Sequence, residues 1–229
     1  MRVVPTGEAL LKAGDGADRD DLNAPVSRMR LNSFIARCGS ESRRSADRLI
    51  RAGRVSVNGH AAEVGTQVDP ISDEIALDNR KLSLPDKYTT ILLNKPAGYL
   101  VSRHDPHHSR TIYELLPDEY RQFVPVGRLD LDTEGAILLA DDGELVNRLT
   151  HPRYHVPKVY RPIVRGRPDE SALDKLRGGV ELDGDMTRPA KVAVVGTRGD
   201  DTELEMVLKE GRKRQVRRMC EAVGHKVIY

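Results

Sequence analysis

The stretch "GRLDLDTEGAILLAD", Gly127–Asp141, decides the fold, because it admits two architectures. From Asp130 it runs acid-x-acid-x-acid-Gly, with Ile137 at the eighth place and Asp141 at the twelfth, as in the first half of a helix-flanked calcium loop. Alternatively it is a short acidic loop between two strands, in which one carboxylate does chemistry and the others are scaffold.

The flanks favour the strand reading. Pro125 and Gly127 fall where an entering helix would run, and "DDG" turns the chain where an exiting helix would begin. Asp141 is too short for the bidentate grip that Glu supplies at the twelfth place, and the motif has no second copy. A magnesium site at Asp130 and Asp132 would lack a phosphate-cradling Gly-rich loop. His104, His107, His108, His151 and His155 have no cysteine or carboxylate at a supporting spacing and read as surface residues. No metal and no cofactor is expected.

Working outward, "VPVG" and "AILLAD" read as strands on either side of the loop, and "TTILLNKPAGYLVS" as a buried strand broken at Lys95–Pro96. "GELVNRLTH", "PDESALDKLRGG" and "RQVRRMCEAVG" read as helices, and "KVYRPIV" as a strand. "TRPAKVAVVG" and "TELEMVLKEG" alternate as antiparallel strands do, and "HKVIY" begins another. Upstream, Leu31, Phe34, Ile35 and Cys38 recur at helical spacing. A second helix carries Ala46, Leu49 and Ile50 behind a Ser cap, and "RVSVNGHAAEV" follows as a hairpin with an Asn-Gly turn. The predicted class is α+β with a mixed, mainly antiparallel sheet and flanking helices.

The 229 residues carry a formal net charge of only +2, but the charge is clustered. Arg28, Arg30, Arg37, Arg43, Arg44, Arg48, Arg51 and Arg54 face only Glu41 and Asp47 before His60. "KEGRKRQVRR" forms a second basic run. Clustered positive charge is the footprint of a nucleic-acid binder. Five of the second run's cations, Arg212, Lys213, Arg214, Arg217 and Arg218, gather at the start of a helix, where positive charge costs a few tenths of a kcal/mol each unless an anion lies nearby. No apolar run is long enough to span a bilayer, and the first residues lack a signal-peptide core. Cys38 and Cys220 form no disulfide or metal pattern, so a reducing, cytoplasmic setting is expected.

"RLNSFIARCGSESRRSADRLIRAGRVSVNG" resembles the RNA-binding domain named after ribosomal small-subunit protein four. The resemblance implies RNA contacts at Arg43, Arg44, Arg54 and Asn58. "VGRLDLDTEGAILLADDGELVNRLTHPRYHVPKVY" resembles the core motif of the RsuA-like ribosomal RNA pseudouridine synthases of bacteria. "LLNKPAGYLVSRHDPHHSRTIYELLP" resembles their first motif and "LKEGRKRQVRRMCEAVGHKV" their last. These matches imply that Asp130 acts at the sugar, as nucleophile or base. They imply that Tyr160 stacks on uracil and helps remove its proton, and that Arg217 pairs with Asp130. Arg128 would fill the space of the flipped-out base, and Arg212, Lys213 and Arg214 would face RNA.

The expected layout is a disordered lead-in over 1–27, an RNA-binding domain over 28–75, a linker over 76–88 and a catalytic domain over 89–229. Family members continue past "GHKVIY", so the chain reads as truncated at its C-terminus. The expected substrate is ribosomal RNA, of the large subunit in preference to the small, in free or partly assembled subunits, modified by a monomer without membrane attachment. Two alternatives are a non-catalytic RNA-binding or ribosome-assembly factor and a metal-dependent enzyme acting on RNA.

Overall fold

The computed structural model describes residues 2–4, 28–39 and 41–229. The chain divides into two compact units. One comprises Met1–Asn94, Tyr113–Val126 and Ala136–Val146; the other comprises Lys95–Ile112, Gly127–Gly135 and Asn147–Tyr229.

In the first unit β1 (Arg2–Val4) is all that is described of residues 1–27, so the expected lead-in otherwise lies outside the described residues. β2 (Met29–Arg30) leads into α1 (Leu31–Arg37), and α2 (Arg43–Arg51) follows. The Ser42 hydroxyl accepts the Ser45 amide at 3.1 Å and caps α2. Leu31, Phe34 and Ile35 pack against Ala46, Ile50, Val55, Val68 and Ile75 in one core. That packing follows from apolar residues repeating at helical spacing.

β3 (Val55–Val57) and β4 (His60–Ala61) form the hairpin expected of the Asn-Gly turn, with φ of 53° at Asn58 and 80° at Gly59. β5 (Gln67–Val68) pairs with β2. β6 (Ile75–Leu77) pairs with β3 and turns through Asp78–Asn79 into β7 (Arg80–Lys81), so the stretch expected as a linker begins as half of a hairpin. β8 (Thr90–Lys95) ends directly before Pro96. It lies second in a sheet of order β1-β8-β10-β9, where β9 is Val124–Pro125 and β10 is Gly135–Ala140. The acidic loop therefore lies between two strands, and the helix-flanked alternative does not apply.

α3 (Gly143–Thr150) ends just before the second unit's main sheet. The run "KVYRPIV" forms two strands instead of one, β11 (Lys158–Tyr160) and β12 (Ile163–Val164). Pro162 has no amide to donate and interrupts the ladder, while its carbonyl accepts the Leu204 amide at 2.9 Å. After α4 (Glu170–Gly178) comes a hairpin of β13 (Glu181–Leu182) and β14 (Asp185–Met186), then β15 (Lys191–Arg198) and β16 (Asp201–Leu208). β16 pairs antiparallel with β11 and β12 on one side and β15 on the other. Its alternation buries Leu204, Met206 and Leu208 against Leu173 and Leu176 of α4 and against Met219 and Cys220 of α5 (Gln215–Ala222).

"HKVIY" does not form the expected strand. It pairs only loosely with β12, through the antiparallel bridge of Val227 to Val164 and the bonds Ile228 amide to Ile163 carbonyl at 2.8 Å, Ile163 amide to Tyr229 carbonyl at 2.9 Å and Arg165 amide to Lys226 carbonyl at 2.9 Å. β8 with β1, β10 with β9, β2 with β5, β3 with β4 and β6, β6 with β7, β13 with β14, and β16 with β11, β12 and β15 all pair antiparallel, and helices flank the sheets. Among the described residues no helix is long and apolar enough to cross a membrane.

Candidate active site

The loop of residues 127–135 is fixed by two devices within its own unit. The first is Lys95, which has no solvent exposure although it carries an ammonium group. Its Nζ donates to the carbonyls of Pro96 at 3.1 Å, Leu131 at 3.4 Å and Thr133 at 2.5 Å. Burial pulls its pKa down, opposed by the negative charges of Asp132, Asp130 and Glu134. The Gly98 amide adds a bond to the Leu131 carbonyl at 2.7 Å. A cation donating to several carbonyls can hold a loop without neutralising the loop's own acids.

The second device is Asp132. Arg214 forks onto it, with Nη1 3.1 Å from Oδ1 and Nη2 3.2 Å from Oδ2. Arg217 approaches the same carboxylate at 3.5 Å and donates to the Asp132 carbonyl at 3.2 Å. Partial burial pushes the Asp132 carboxyl up, but the Arg214 hydrogen bonds and the charges of Arg217 and Arg214 outweigh it and hold the group below its ordinary value. The expected ion pair between Arg217 and Asp130 is thus replaced by one with Asp132. Arg214 sits at φ 52°, a left-handed conformation at the start of α5 that aims its fork at the loop.

Glu134 is also engaged, accepting the Tyr229 hydroxyl. Asp130 stands apart: it is half-buried, its carbonyl accepts the Thr133 amide at 3.1 Å within the loop, and its carboxylate has no hydrogen-bond or ion-pair partner among the described residues. Tyr160, on β11, is half-buried against the core that faces β16. Burial raises its phenol, and the negative charge of Asp130 raises it further, so the two groups sense one another. Arg128 is exposed on the same loop.

The other expected RNA contacts divide. Arg43, Arg44 and Lys213 are exposed, with no carboxylate partner among the described residues. Arg54 is exposed but forks onto Asp78, with Nε 2.8 Å from Oδ1. Asn58 donates to Asp73 at 2.8 Å and accepts the Glu74 amide at 2.8 Å, which fixes the hairpin turn. Arg212 is committed internally: Nη1 donates to the Asp185 carbonyl at 3.0 Å and Nη2 to the Met186 carbonyl at 2.6 Å. Its guanidinium braces the β13–β14 hairpin.

Sequence reasoning passed over Lys95, seen only as a strand break, and Asp132, read as passive scaffold. The acids surrounding "NKP" in the fold are far away in sequence, so no local signal marks the lysine as buried. Among the described residues no group of three or more His, Cys, Asp or Glu is placed to hold a metal ion.

Two family models match the chain. Residues 89–222 match the RNA pseudouridylate synthase family, and residues 29–75 match the S4 domain. An uncharacterized RNA pseudouridine synthase of Aquifex aeolicus (strain VF5) is 41% identical over 201 residues, covering 87% of this chain and 80% of the relative. The ribosomal large subunit pseudouridine synthase B of Bacillus subtilis (strain 168) is 38% identical over 202 residues, covering 87% and 82%. A crystal structure of a pseudouridylate synthase superposes with a TM-score of 0.59 at 33% identity, covering 87% of this chain and 85% of that one. The chain belongs to the RNA pseudouridylate synthase family.

Proposed function

We propose that this synthase isomerises uridine in ribosomal RNA, and in large-subunit RNA rather than small-subunit RNA. The large-subunit assignment is supported by the names of its relatives, including the Bacillus subtilis protein. The observation that carries the catalytic reading is the state of the loop's acids. Asp132 and Glu134 are engaged, whereas Asp130 is half-buried, uncommitted and within electrostatic reach of Tyr160. A carboxylate in a fixed loop with no competing partner is suited to attack, or to draw a proton from, an electron-poor sugar carbon.

In this reading Asp130 acts at the sugar while the bond between ribose and the ring nitrogen breaks. The uracil turns, and its carbon five forms the new bond to the sugar. Tyr160 stacks on the ring and helps remove the proton from carbon five; the freed ring nitrogen takes up a proton, and the product is an isomer of the substrate. Arg217 and Arg214 act as positioning residues through Asp132, and Arg128 occupies the space left by the flipped base. Arg43, Arg44 and Lys213 bind phosphate, while Arg54 and Asn58 shape the turn of the RNA-binding part.

The proposed layout keeps an RNA-binding part over 28–75 and a catalytic part over 89–229. We place the protein in the cytoplasm, acting as a monomer on free or partly assembled subunits.

The test is tritium release from ribosomal RNA labelled at uracil carbon five, in EDTA, with large-subunit and small-subunit RNA offered separately. Release from large-subunit RNA is expected. Asp130→Asn should be slower by about a thousandfold or more while RNA affinity holds within about twofold. Undiminished release by Asp130→Asn would overturn its role, and release from small-subunit RNA alone would overturn the target.

A further inference from the structure

The turn ahead of β11 carries a group of side chains that the reaction does not use. His151 caps a short 3-10 turn, Pro152–Tyr154, by accepting the Arg153 amide on Nδ1 at 3.2 Å. The Arg153 guanidinium lies over the Tyr154 ring, 4.6 Å from its centroid, and donates to the Tyr154 hydroxyl at 2.5 Å. The His151 ring meets Tyr154 edge-on, with centroids 6.4 Å apart. His155 then turns the chain at φ 48°, a left-handed conformation rare outside glycine, and Arg188 brings Nη1 to 2.8 Å from its Nδ1.

All five side chains are exposed. In the same unit Arg161, Arg177, Arg198, Arg214, Arg217 and Arg218 each pair with a carboxylate. The Arg188 amide donates to Glu210 at 3.0 Å, but the guanidinium groups of Arg153 and Arg188 have no carboxylate partner among the described residues and lie against aromatic rings instead. These planar cations sit beside solvent-facing rings.

We propose that Arg153, Tyr154, His155 and Arg188 form a platform that stacks an unpaired RNA nucleotide outside the uridine pocket. The proposal rests on the reading that the substrate is RNA. A guanidinium plane over a tyrosine ring offers a nucleobase a ready stack, and every base has a face to place there. Arg188 supplies a cation for the adjoining phosphate. Tyr154 lies six residues before Tyr160, so the platform is no more than about 22 Å from the catalytic tyrosine along the chain. It therefore reads a nucleotide a few positions from the target.

The test is equilibrium binding in an Asp130→Asn background, with tritium release followed alongside to confirm that turnover is negligible during the measurement. The probe is a short single-stranded RNA containing 2-aminopurine, whose fluorescence falls when it stacks; a hairpin RNA of the same composition is the comparison. Tyr154→Ala should weaken single-strand binding by about five- to a hundredfold and abolish the fluorescence loss, with hairpin binding unchanged within about twofold. Tyr154→Phe should keep both binding and quenching. Arg188→Ala should lower the salt slope of single-strand binding by about 0.7. Lys191→Ala, which removes an exposed charge of the same unit, should leave the quenching intact.

Equal losses on both RNAs, or quenching that survives Tyr154→Ala, would overturn the platform. Because binding is read without turnover, failed tritium release with intact quenching would sink the catalytic reading alone.

Discussion

On α2, Arg43, Arg44 and Arg51 are exposed and have no carboxylate partner among the described residues. Ahead of α5 and in its first turns, Arg212, Arg214, Arg217 and Arg218 all end on acceptors of their own unit: the carbonyls of Leu182, Asp185 and Met186 with Glu210 for Arg212, Asp132 for Arg214 and Arg217, and Asp183 for Arg218. In sequence the two segments look alike. In the fold one offers its charge outward, and the other uses its charge to brace a hairpin and hold the acidic loop against the start of a helix. Unpartnered cations on one face await a polyanion. Partnered cations fix geometry, and the geometry they fix is that of Asp130.

The comparison can be sharpened from the scaffold side. Lys95→Met removes the donor shared by three carbonyls and should lower the unfolding free energy by about 2 kcal/mol, read by denaturant titration. It should also slow turnover by about a hundredfold with little change in RNA affinity, since small displacements of a reacting group are expensive in rate. Arg212→Ala should cost about 1–2 kcal/mol of stability and leave the salt dependence of RNA binding unchanged. An altered salt slope would show that Arg212 faces RNA after all.

From the RNA-binding side, Arg43→Ala should change stability by less than about 0.5 kcal/mol. It should weaken RNA binding and reduce the slope of log affinity against log salt by about 0.9, measured by fluorescence anisotropy across a salt series. The smallest effect concerns pH. The folded-state pKa of Asp132 lies below its ordinary value of 3.8, so its contribution is present above that value and is lost as pH falls through the lower folded one. The pair is partly exposed and screened, so the contribution is at most about 1 kcal/mol. Asp132→Asn should flatten that acid limb in thermal melts; an unchanged limb would remove the latch from the stability account.

Features set by neighbouring residues could be read from sequence. The Ser42 cap, the Asn58–Gly59 turn, the alternation of β16 and the strand–loop–strand course of the acidic stretch all depend on contacts within a few positions. The interruption at Pro162 is missed when "KVYRPIV" is read as one strand, although proline removes a ladder donor wherever it falls. What could not be read depends on distance along the chain. Arg214 reaches Asp132 across 82 residues, and Lys95 reaches Thr133 across 38. Arg217 pairs with Asp132 instead of Asp130, a two-residue change of partner that only the path of the loop decides. The resemblance pointed to the right neighbourhood but not to which acid is held and which is left free.

The measurement that tests the account most directly compares two double variants for turnover and for the salt slope of ribosomal RNA binding. Arg43→Ala with Arg44→Ala should lower the slope by about 1.4–1.8 and leave the rate at saturating RNA within about twofold. Arg214→Ala with Arg217→Ala should keep the slope and slow the saturated rate by about a hundredfold or more. The reverse pattern, or equal effects from the two pairs, would contradict the division between a cluster that binds RNA and a cluster that positions the catalytic loop.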